Sequence, residues 1–259
     1  MKLGLLGRTL SHTVSPRIHA RIFAYTGFKG GYGVFEVKKE GLPDFVQAAR
    51  GELSGFNVTI PYKTEIIRYL DALSEEAGDI GAVNTVHVLR GKLTGYNTDY
   101  FGFGYMLAKA GISIKGKTCC ILGSGGAARA VVLYLKDNGA GNISIISRNT
   151  VNAKEIFPGF DIKDYKGLKG DVLVNTTPVG MYPEITGCPV EKDVFGRFSA
   201  VADIVYNPRE TVFLRTAREL GLKTAGGMHM LVAQAVKSEE IWQGTPIDPG
   251  IIDKIAEEL

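Results

Sequence analysis

Residues 117–128 read KTCCILGSGGAA, a short apolar run that ends in a glycine-rich turn. The run from Lys117 to Leu122 predicts a buried strand, and the apolar spacing after the turn predicts a helix to about Asn138. A strand, a turn of the form Gly-x-Gly-x-x-Ala and a helix, in that order, are typical of a dinucleotide-binding unit. The first glycine permits the turn, the second lets the backbone approach a pyrophosphate, and the small Ala128 allows close helix–strand packing.

The same stretch predicts which residues contact the cofactor. A pyrophosphate would lie at the helix N-terminus, where free N–H groups and the helix dipole favour an anion. We therefore expect cofactor contacts from Gly123, Ser124, Gly125, Gly126 and Ala127. The next strand ends in Ser147, Arg148 and Asn149, without the acidic residue that commonly binds the ribose of NAD. These three side chains could instead hold a 2′-phosphate, which predicts NADP; the alternative is that Arg148 is a solvated strand-end arginine.

A second informative stretch is residues 57–63, Asn-Val-Thr-Ile-Pro-Tyr-Lys. Pro61 suits the first position of a helix, and the apolar spacing after it continues with helical period. The pattern therefore predicts that Lys63 lies in the first helical turn. Because the positive end of the helix dipole disfavours an ammonium there, Lys63 is a candidate proton-transfer group. The alternative is a surface lysine that reaches into water.

The N-terminal part of the chain alternates strand-like and helix-like segments, which predicts an α/β layer sandwich. Strands are expected at 2–6, 33–37 and 55–58, and the runs 83–89 and 93–96 predict a hairpin. Ser15 is expected to be an N-cap, with Pro16 at the first helical position.

Composition excludes several classes of protein. The 259 residues suffice for one or two domains, and the net charge of +3 is small and scattered, so we expect neither nucleic-acid nor membrane binding. No stretch is long enough to span a membrane. The adjacent Cys119 and Cys120 lie in an apolar run, which indicates buried thiols in a reducing compartment and favours a cytoplasmic location. Four dispersed histidines predict no metal site.

Seven short motifs together carry a family resemblance. In chain order they are Thr13-Val14-Ser15-Pro16, Asn57 to Lys63, Val83-Asn84-Thr85, Tyr96-Asn97-Thr98-Asp99, Gly123 to Ala127, Asn175 to Met181, and Met230-Leu231-Val232-Ala233-Gln234. In this order they resemble the shikimate dehydrogenase family along nearly the whole chain. The resemblance implies a two-domain α/β fold: residues 1–98 and 228–259 would form the substrate-binding, catalytic domain, and residues 99–227 a Rossmann-like NADP-binding domain.

The resemblance also implies an activity and roles for single residues. The activity would be NADP-dependent reversible reduction of 3-dehydroshikimate to shikimate in aromatic amino-acid (chorismate) biosynthesis, by a monomer or a homodimer. Lys63 and Asp99 would be catalytic. Substrate contacts would come from both of these and from Thr13, Ser15, Thr59, Asn84, Tyr206 and Gln234. Further cofactor contacts would come from Thr176, Met181 and Gly227.

Four alternatives stay open at this point. One is a quinate/shikimate dehydrogenase with relaxed substrate or NAD use: Thr13 departs from the more common serine, which leaves open some quinate use, whereas the missing acidic residue after Ile146 weakens a preference for NAD. A methylenetetrahydrofolate dehydrogenase-like enzyme would need a larger, more apolar pocket for its pteridine. A short-chain dehydrogenase is suggested by Tyr105 and Lys109, although that pair precedes the glycine motif. A catalytically silent ligand sensor is disfavoured because both Lys63 and Asp99 are present.

Overall fold

A computed structural model describes residues 1–11 and 13–259. The chain divides into two compact units, Met1–Phe101 with Val232–Leu259, and Gly102–Leu231. Both boundaries lie a few residues later than those predicted from the sequence. Asp99 therefore belongs to the first unit rather than to the second.

The first unit is built on one mixed sheet. Its elements, up to the first boundary, are β1 (Lys2–Gly7), α1 (Ser15–Thr26), β2 (Gly31–Glu36), α2 (Leu42–Glu52), β3 (Gly55–Val58), β4 (Ala72–Leu73), α3 (Glu75–Ile80), β5 (Thr85–Leu89) and β6 (Lys92–Tyr96). The strands lie in the order β2-β1-β3-β5-β6-β4. β1 is parallel to β2 and β3, whereas β5 is antiparallel to β3 and β6. The predicted hairpin is thus the β5–β6 pair.

The second unit is built on a sheet in which every pair of strands is parallel. The remaining elements of the chain are α4 (Thr98–Lys109), β7 (Thr118–Leu122), α5 (Gly126–Asp137), β8 (Asn142–Ile146), α6 (Thr150–Ile156), β9 (Asp161–Lys163), β10 (Val172–Asn175), α7 (Lys192–Phe195), β11 (Ala200–Asp203), α8 (Val212–Glu219), β12 (Lys223–Gly226), α9 (Gly227–Gln243) and α10 (Gly250–Glu258). The strand order is β12-β11-β10-β7-β8-β9, the doubly wound arrangement of dinucleotide-binding folds. Its switch point lies between β7 and β10, where such folds bind ligands beyond the carboxyl ends of the strands.

The core of the second unit explains the two adjacent cysteines. Successive strand residues point to opposite faces of a sheet. Cys119 accordingly packs in the apolar cluster on one face of β7, and Cys120 packs in the cluster on the other. Burial raises the pKa of the Cys119 thiol to about 12, so this side chain is an uncharged core residue at neutral pH.

The predicted helix at Lys63 is wrong. Residues 60–64 form turns, and a short 3-10 helix follows at Glu65–Tyr69. The Lys63 carbonyl accepts a hydrogen bond from the N–H of Val83 at 2.7 Å, so this tertiary contact takes the acceptor that a helix would use. The argument from the helix dipole therefore does not apply to Lys63.

The predicted N-cap role of Ser15 is also wrong. Val14 occupies the N-cap position without a side-chain hydrogen bond, and Ser15 is the first residue of α1. The N–H of Ser15 is instead satisfied by Oγ1 of Thr13 at 3.3 Å.

The described part of the chain contains no helix that is long and apolar enough to cross a membrane. Within residues 1–11 and 13–259, no three His, Cys, Asp or Glu side chains come together in a way that could hold a metal ion.

Candidate active site

Lys63 and Asp99 form an ion pair in the first unit. Nζ of Lys63, in the turn after β3, lies 2.7 Å from Oδ2 of Asp99, in the first turn of α4. Their side chains are 20% and 11% exposed, so the pair is partly shielded but still reachable by a ligand. Partial burial strengthens their attraction relative to an ion pair in water. The two residues predicted to be catalytic therefore lie within hydrogen-bonding distance of each other.

Asn84 fixes the other oxygen of this carboxylate. Its Nδ2 donates to Oδ1 of Asp99 at 2.9 Å, while its own Oδ1 accepts from the N–H of Thr98 at 2.7 Å. Both oxygens of Asp99 therefore have partners, which orients the carboxylate toward Lys63. An ammonium carries three donors, and Asp99 is its one hydrogen-bond partner among the described residues. The remaining donors of Lys63 can serve a substrate oxygen.

Behind this pair lies a buried polar cluster that sequence reasoning missed. Oγ of Ser238, on α9, lies 2.8 Å from Oγ1 of Thr85 and accepts from Nδ2 of Asn57 at 3.0 Å. Thr98 joins the cluster and donates to Oε1 of Gln234 at 3.4 Å. Asn57, Thr85 and Thr98 belong to the quoted motifs, which was a usable signal. Nothing in the sequence marked Ser238 except its position one helical turn after Gln234.

Thr13 and Ser15 form the second predicted part of the substrate site. Oγ1 of Thr13 lies 3.2 Å from Oγ of Ser15, so the two hydroxyls share one location at the start of α1. The loop before them is held by the N–H of Leu10, which donates to Oε1 of Glu36 at 2.5 Å. Paired hydroxyls can donate hydrogen bonds to a carboxylate. Thr59, at the end of β3, is partly buried, and its N–H donates to the carbonyl of Leu6 at 2.9 Å.

The glycine turn of the second unit fits a pyrophosphate. Gly123 has a φ of 105°, and a Cβ there would lie 2.9 Å from Oγ1 of Thr176, so only glycine fits. At Gly125 and Gly126, by contrast, a Cβ would meet no atom within 4 Å, and neither residue has a positive φ. Packing therefore does not explain these two glycines. Their open backbone at the N-terminus of α5 suits a bound anion. Ala128 is fully buried, as the packing argument expected.

Of the three residues predicted to bind the 2′-phosphate at the end of β8, two make hydrogen bonds within the protein and one is exposed. Ser147 is buried, and its Oγ lies 3.3 Å from Oγ of Ser124, so it braces the glycine turn. Oδ1 of Asn149 accepts from the N–H of Asn152 at 3.1 Å and caps α6. The Arg148 side chain is exposed, with no hydrogen-bond partner among the described residues. Arg148 is therefore the residue of the three that is placed to bind a phosphate.

The other predicted cofactor and substrate residues of the second unit lie in the segments that follow strands β10, β11 and β12. Oγ1 of Thr176, directly after β10, donates to a backbone carbonyl at 2.7 Å, and Met181 is 42% exposed. A Cβ on Gly227 would lie 2.3 Å from the carbonyl oxygen of Ile204, so close packing explains this glycine without a ligand. Tyr206 follows β11, and burial raises the pKa of its phenol. Tyr206 thus belongs to the second unit, whereas the other predicted substrate residues belong to the first.

Sequence analysis did not single out Asp203, the buried acid that ends the apolar run of β11. Its side chain is fully buried, and burial raises its pKa to about 6, against the opposing hydrogen bonds from Thr211, Val205 and Asn175. The thiol of Cys188 also feels the charge of this carboxylate. The pKa of Cys188 is raised, first by burial and also by the Asp203 charge. An acidic residue inside an apolar strand was the available signal.

This raised pKa predicts how stability depends on pH. The folded state binds the Asp203 proton more tightly than the unfolded state, where the pKa is about 4. The stabilising contribution is therefore complete below about pH 4 and is lost as pH rises through about 6. We expect the melting temperature of Asp203→Asn to rise relative to that of the native chain between about pH 4 and pH 6.5, and the difference to level off at higher pH. A melting-temperature difference that does not change over this range would contradict the shift.

Comparison with known proteins decides the family. Residues 5–86 match the family model for the shikimate dehydrogenase substrate binding domain. A protein of Clostridium beijerinckii named shikimate dehydrogenase (NADP(+)) is 44% identical over 250 residues, covering 95% of this chain and 93% of the relative. The chain belongs to the shikimate dehydrogenase family. The predicted family is therefore confirmed.

Solved structures of shikimate dehydrogenases confirm the predicted two-domain α/β fold. The chorismate mutase/shikimate 5-dehydrogenase fusion protein from Clostridium acetobutylicum has a TM-score of 0.96 and 48% identity, covering 99% of this chain and 96% of that one. The shikimate 5-dehydrogenase of Thermus thermophilus, solved in complex with NADP(H) and shikimate, has a TM-score of 0.92 and 33% identity. The match covers 100% of this chain and 99% of the Thermus thermophilus chain.

Proposed function

We propose that the chain is an NADP-dependent shikimate dehydrogenase, which reversibly reduces 3-dehydroshikimate to shikimate in aromatic amino-acid biosynthesis. The observation that carries the proposal is the ion pair of Lys63 and Asp99, 2.7 Å apart and oriented by Asn84. The curated relative from Clostridium beijerinckii is named for NADP(+), and the Thermus thermophilus structure contains both NADP(H) and shikimate. The monomer or homodimer state and the cytoplasmic location stay predictions.

Lys63 is the proposed proton donor. Bound NADPH supplies the hydride that the substrate carbonyl carbon receives. As charge develops on the carbonyl oxygen, the Lys63 ammonium stabilises it and transfers a proton from Nζ to it. Asp99 keeps the ammonium in place and can accept a hydrogen bond from a neighbouring substrate hydroxyl. In the oxidation direction, the neutral Lys63 amine accepts the proton from the shikimate hydroxyl.

The other proposed contacts divide by the chemistry of the ligand. Thr13 and Ser15 would donate to the substrate carboxylate. Thr59, Asn84 and Gln234 would bind ring hydroxyls, since amides and hydroxyls both donate and accept. Tyr206 stays a predicted substrate contact. For NADP, the backbone at Gly123, Ser124, Gly125, Gly126 and Ala127 would hold the pyrophosphate, and Thr176 and Met181 would contact the nicotinamide side.

Arg148 should set the preference for NADP. Arg148→Ala should raise the KM for NADP by about 10–100-fold, because a hydrogen bond to a charged group contributes about 1.5–3 kcal/mol. The KM for NAD should change by less than about twofold, since NAD has no 2′-phosphate. Arg197→Ala is the matched control, because Arg197 is an exposed arginine of the same unit whose partner, Asp193, is also exposed. Equal increases in both KM values would show that Arg148 does not contact the phosphate.

An absorbance assay for reduced nicotinamide tests the function directly. Shikimate and quinate are each combined with NADP and with NAD. We expect the highest kcat/KM for shikimate with NADP. A comparable kcat/KM for quinate would favour the relaxed dehydrogenase that Thr13 leaves open. No turnover in any combination, by a folded chain, would overturn the proposal.

A further inference from the structure

Asp203 connects three elements at the carboxyl edge of the sheet in the second unit. Its Oδ1 accepts from the N–H of Val205 at 3.0 Å and from Nδ2 of Asn175 at 3.0 Å. Its Oδ2 accepts from Oγ1 of Thr211 at 2.7 Å, at the start of α8. Oδ1 therefore binds the last residue of β10 and the loop that follows β11, whereas Oδ2 binds the N-cap residue of α8. Burying a carboxylate is costly unless hydrogen bonds compensate for the lost water, and Asp203 accepts three of them.

Asn175 connects Asp203 to the loop after β10, because its side chain also binds residues of that loop. Its Oδ1 accepts from both the N–H and the hydroxyl of Thr177, at 3.0 and 2.7 Å. The hydroxyl of Thr177 in turn accepts from the N–H of Val179 at 3.3 Å. Thr176 lies within this hydrogen-bonded turn, and Met181 follows it. The turn is thus built on the amide that Asp203 holds.

The loop after β11 is restrained by the same oxygen. The hydrogen bond from Val205 to Asp203 fixes the backbone immediately before Tyr206. In parallel sheets, ligands bind at the carboxyl ends of the strands near the switch point. The switch point here lies between β7 and β10, so the loop after β10 borders it directly. Both restrained loops carry residues that we propose as ligand contacts.

We propose that Asp203 is a positioning residue for the NADP site, where its Oδ1 atom holds the two loops, residues 175–181 and 204–206, in the conformation that binds the cofactor. This inference rests on the proposed function. Loops that are ordered before binding lose less conformational freedom on binding, which increases affinity. The affinity for NADP therefore depends on an acceptor at Oδ1 and not on the bond at Oδ2.

Two substitutions of Asp203 separate these roles. Asp203→Asn keeps an oxygen for Val205 and Asn175 and turns its amide toward Thr211, whereas Asp203→Ala removes every contact. Calorimetric titration with NADP alone should give a Kd raised at least about tenfold for Asp203→Ala and less than about threefold for Asp203→Asn. In turnover, Asp203→Ala should raise the KM for NADP by more than the KM for shikimate, because only one of the two restrained loops carries a predicted substrate contact, Tyr206. The recovery of affinity in Asp203→Asn distinguishes positioning from a loss of charge.

Thr211→Val is the matched control, because it removes the partner of Oδ2 and leaves Oδ1 intact. Oγ1 of Thr211 also caps α8 by accepting from the N–H of Leu214 at 3.3 Å. This variant should therefore lower the melting temperature without changing the Kd for NADP. A lower melting temperature with an unchanged Kd in folded Asp203→Ala would mean that Asp203 is merely structural, and would overturn the inference.

If Asp203→Ala does not fold, Asn175→Ala tests instead whether the hydrogen bonds of Asp203 position the NADP site. It cuts the link between Asp203 and Thr177, and a Kd for NADP raised about tenfold would support the inference. An unchanged Kd would overturn it. If the native chain itself does not bind NADP, the proposed function fails and this inference fails with it. If the native chain binds NADP and these variants bind equally well, the inference alone is overturned.

Discussion

Replacing Lys63 with alanine should lower kcat for shikimate oxidation by about 10²–10⁴-fold, the usual contribution of a positioned proton-transfer group. The KM for shikimate should change by less than about fivefold, because in the proposed site Thr13, Ser15 and the amide groups would bind the rest of the substrate. The expected effect is large because the proposed role of Lys63 is both to stabilise the developing oxygen charge and to transfer the proton. Steady-state kinetics in both directions measure it.

Lys39→Ala is the matched control for Lys63→Ala. Lys39 also pairs with a carboxylate of the first unit, Glu65, but at 3.6 Å and with a side chain that is 70% exposed. An exposed pair of this kind contributes little, so kcat should be unchanged. If folded Lys63→Ala kept near-native kcat, the proton donor would have to be another group.

Much of the fold was predictable because its signals are local. The strand, glycine turn and helix of residues 117–138 follow one another along the chain, and apolar spacing alone predicts each of them. The structure places β7, the turn and α5 there. Short elements such as α3 and α6 carry too few residues to show a period. The predicted helix at Lys63 failed because a distant residue, Val83, binds the Lys63 carbonyl. Local propensity cannot anticipate such a contact.

In the candidate site, too, some residues were predictable from local motifs and others were not. The sequence was sufficient to propose the site residues that lie in recognisable motifs, namely Thr13, Lys63, Asn84 and Asp99. Their buried supports could not be predicted, because the partners are far apart along the chain. Asn57 and Ser238, for example, are separated by 181 residues. The role inferred for Asp203 likewise depends on its hydrogen bonds with Asn175 and Thr211, which the fold brings beside it. A single sequence contains no signal for such pairings.

His19 and Glu239 are a further pair of this kind, separated by 220 residues. Nδ1 of His19 lies 2.5 Å from Oε1 of Glu239, and their side chains are 1% and 0% exposed. Oε2 of Glu239 accepts from Nε2 of Gln243 at 2.9 Å. The His19 ring stacks on Tyr32 with centroids 3.8 Å apart. Sequence analysis did not single out His19, and the structure makes it the partner of a fully buried acid.

His19→Leu should lower the free energy of unfolding by about 3–5 kcal/mol, because it leaves the Glu239 carboxylate buried with an amide as its remaining support. Glu239→Leu should cost less, since a neutral imidazole is cheaper to bury than a carboxylate. Urea unfolding at neutral pH measures both. Arg21→Ala, on the same helix, is the control: its pair with Glu258 is 57% and 33% exposed, so its loss should cost less than about 1 kcal/mol.

The double variant His19→Leu/Glu239→Leu tests the reason for this loss. Replacing both partners of a buried hydrogen bond with apolar side chains can be nearly neutral or stabilising, whereas removing one partner leaves the other buried without it. The double variant should therefore be more stable than His19→Leu alone, so that the two changes are not additive. If the free energy of unfolding of His19→Leu lay within about 1 kcal/mol of that of the native chain, the buried contact between His19 and Glu239 would not be a major source of stability. If the double variant instead lost the sum of both single effects, His19 and Glu239 would stabilise the unit independently, through packing rather than through each other.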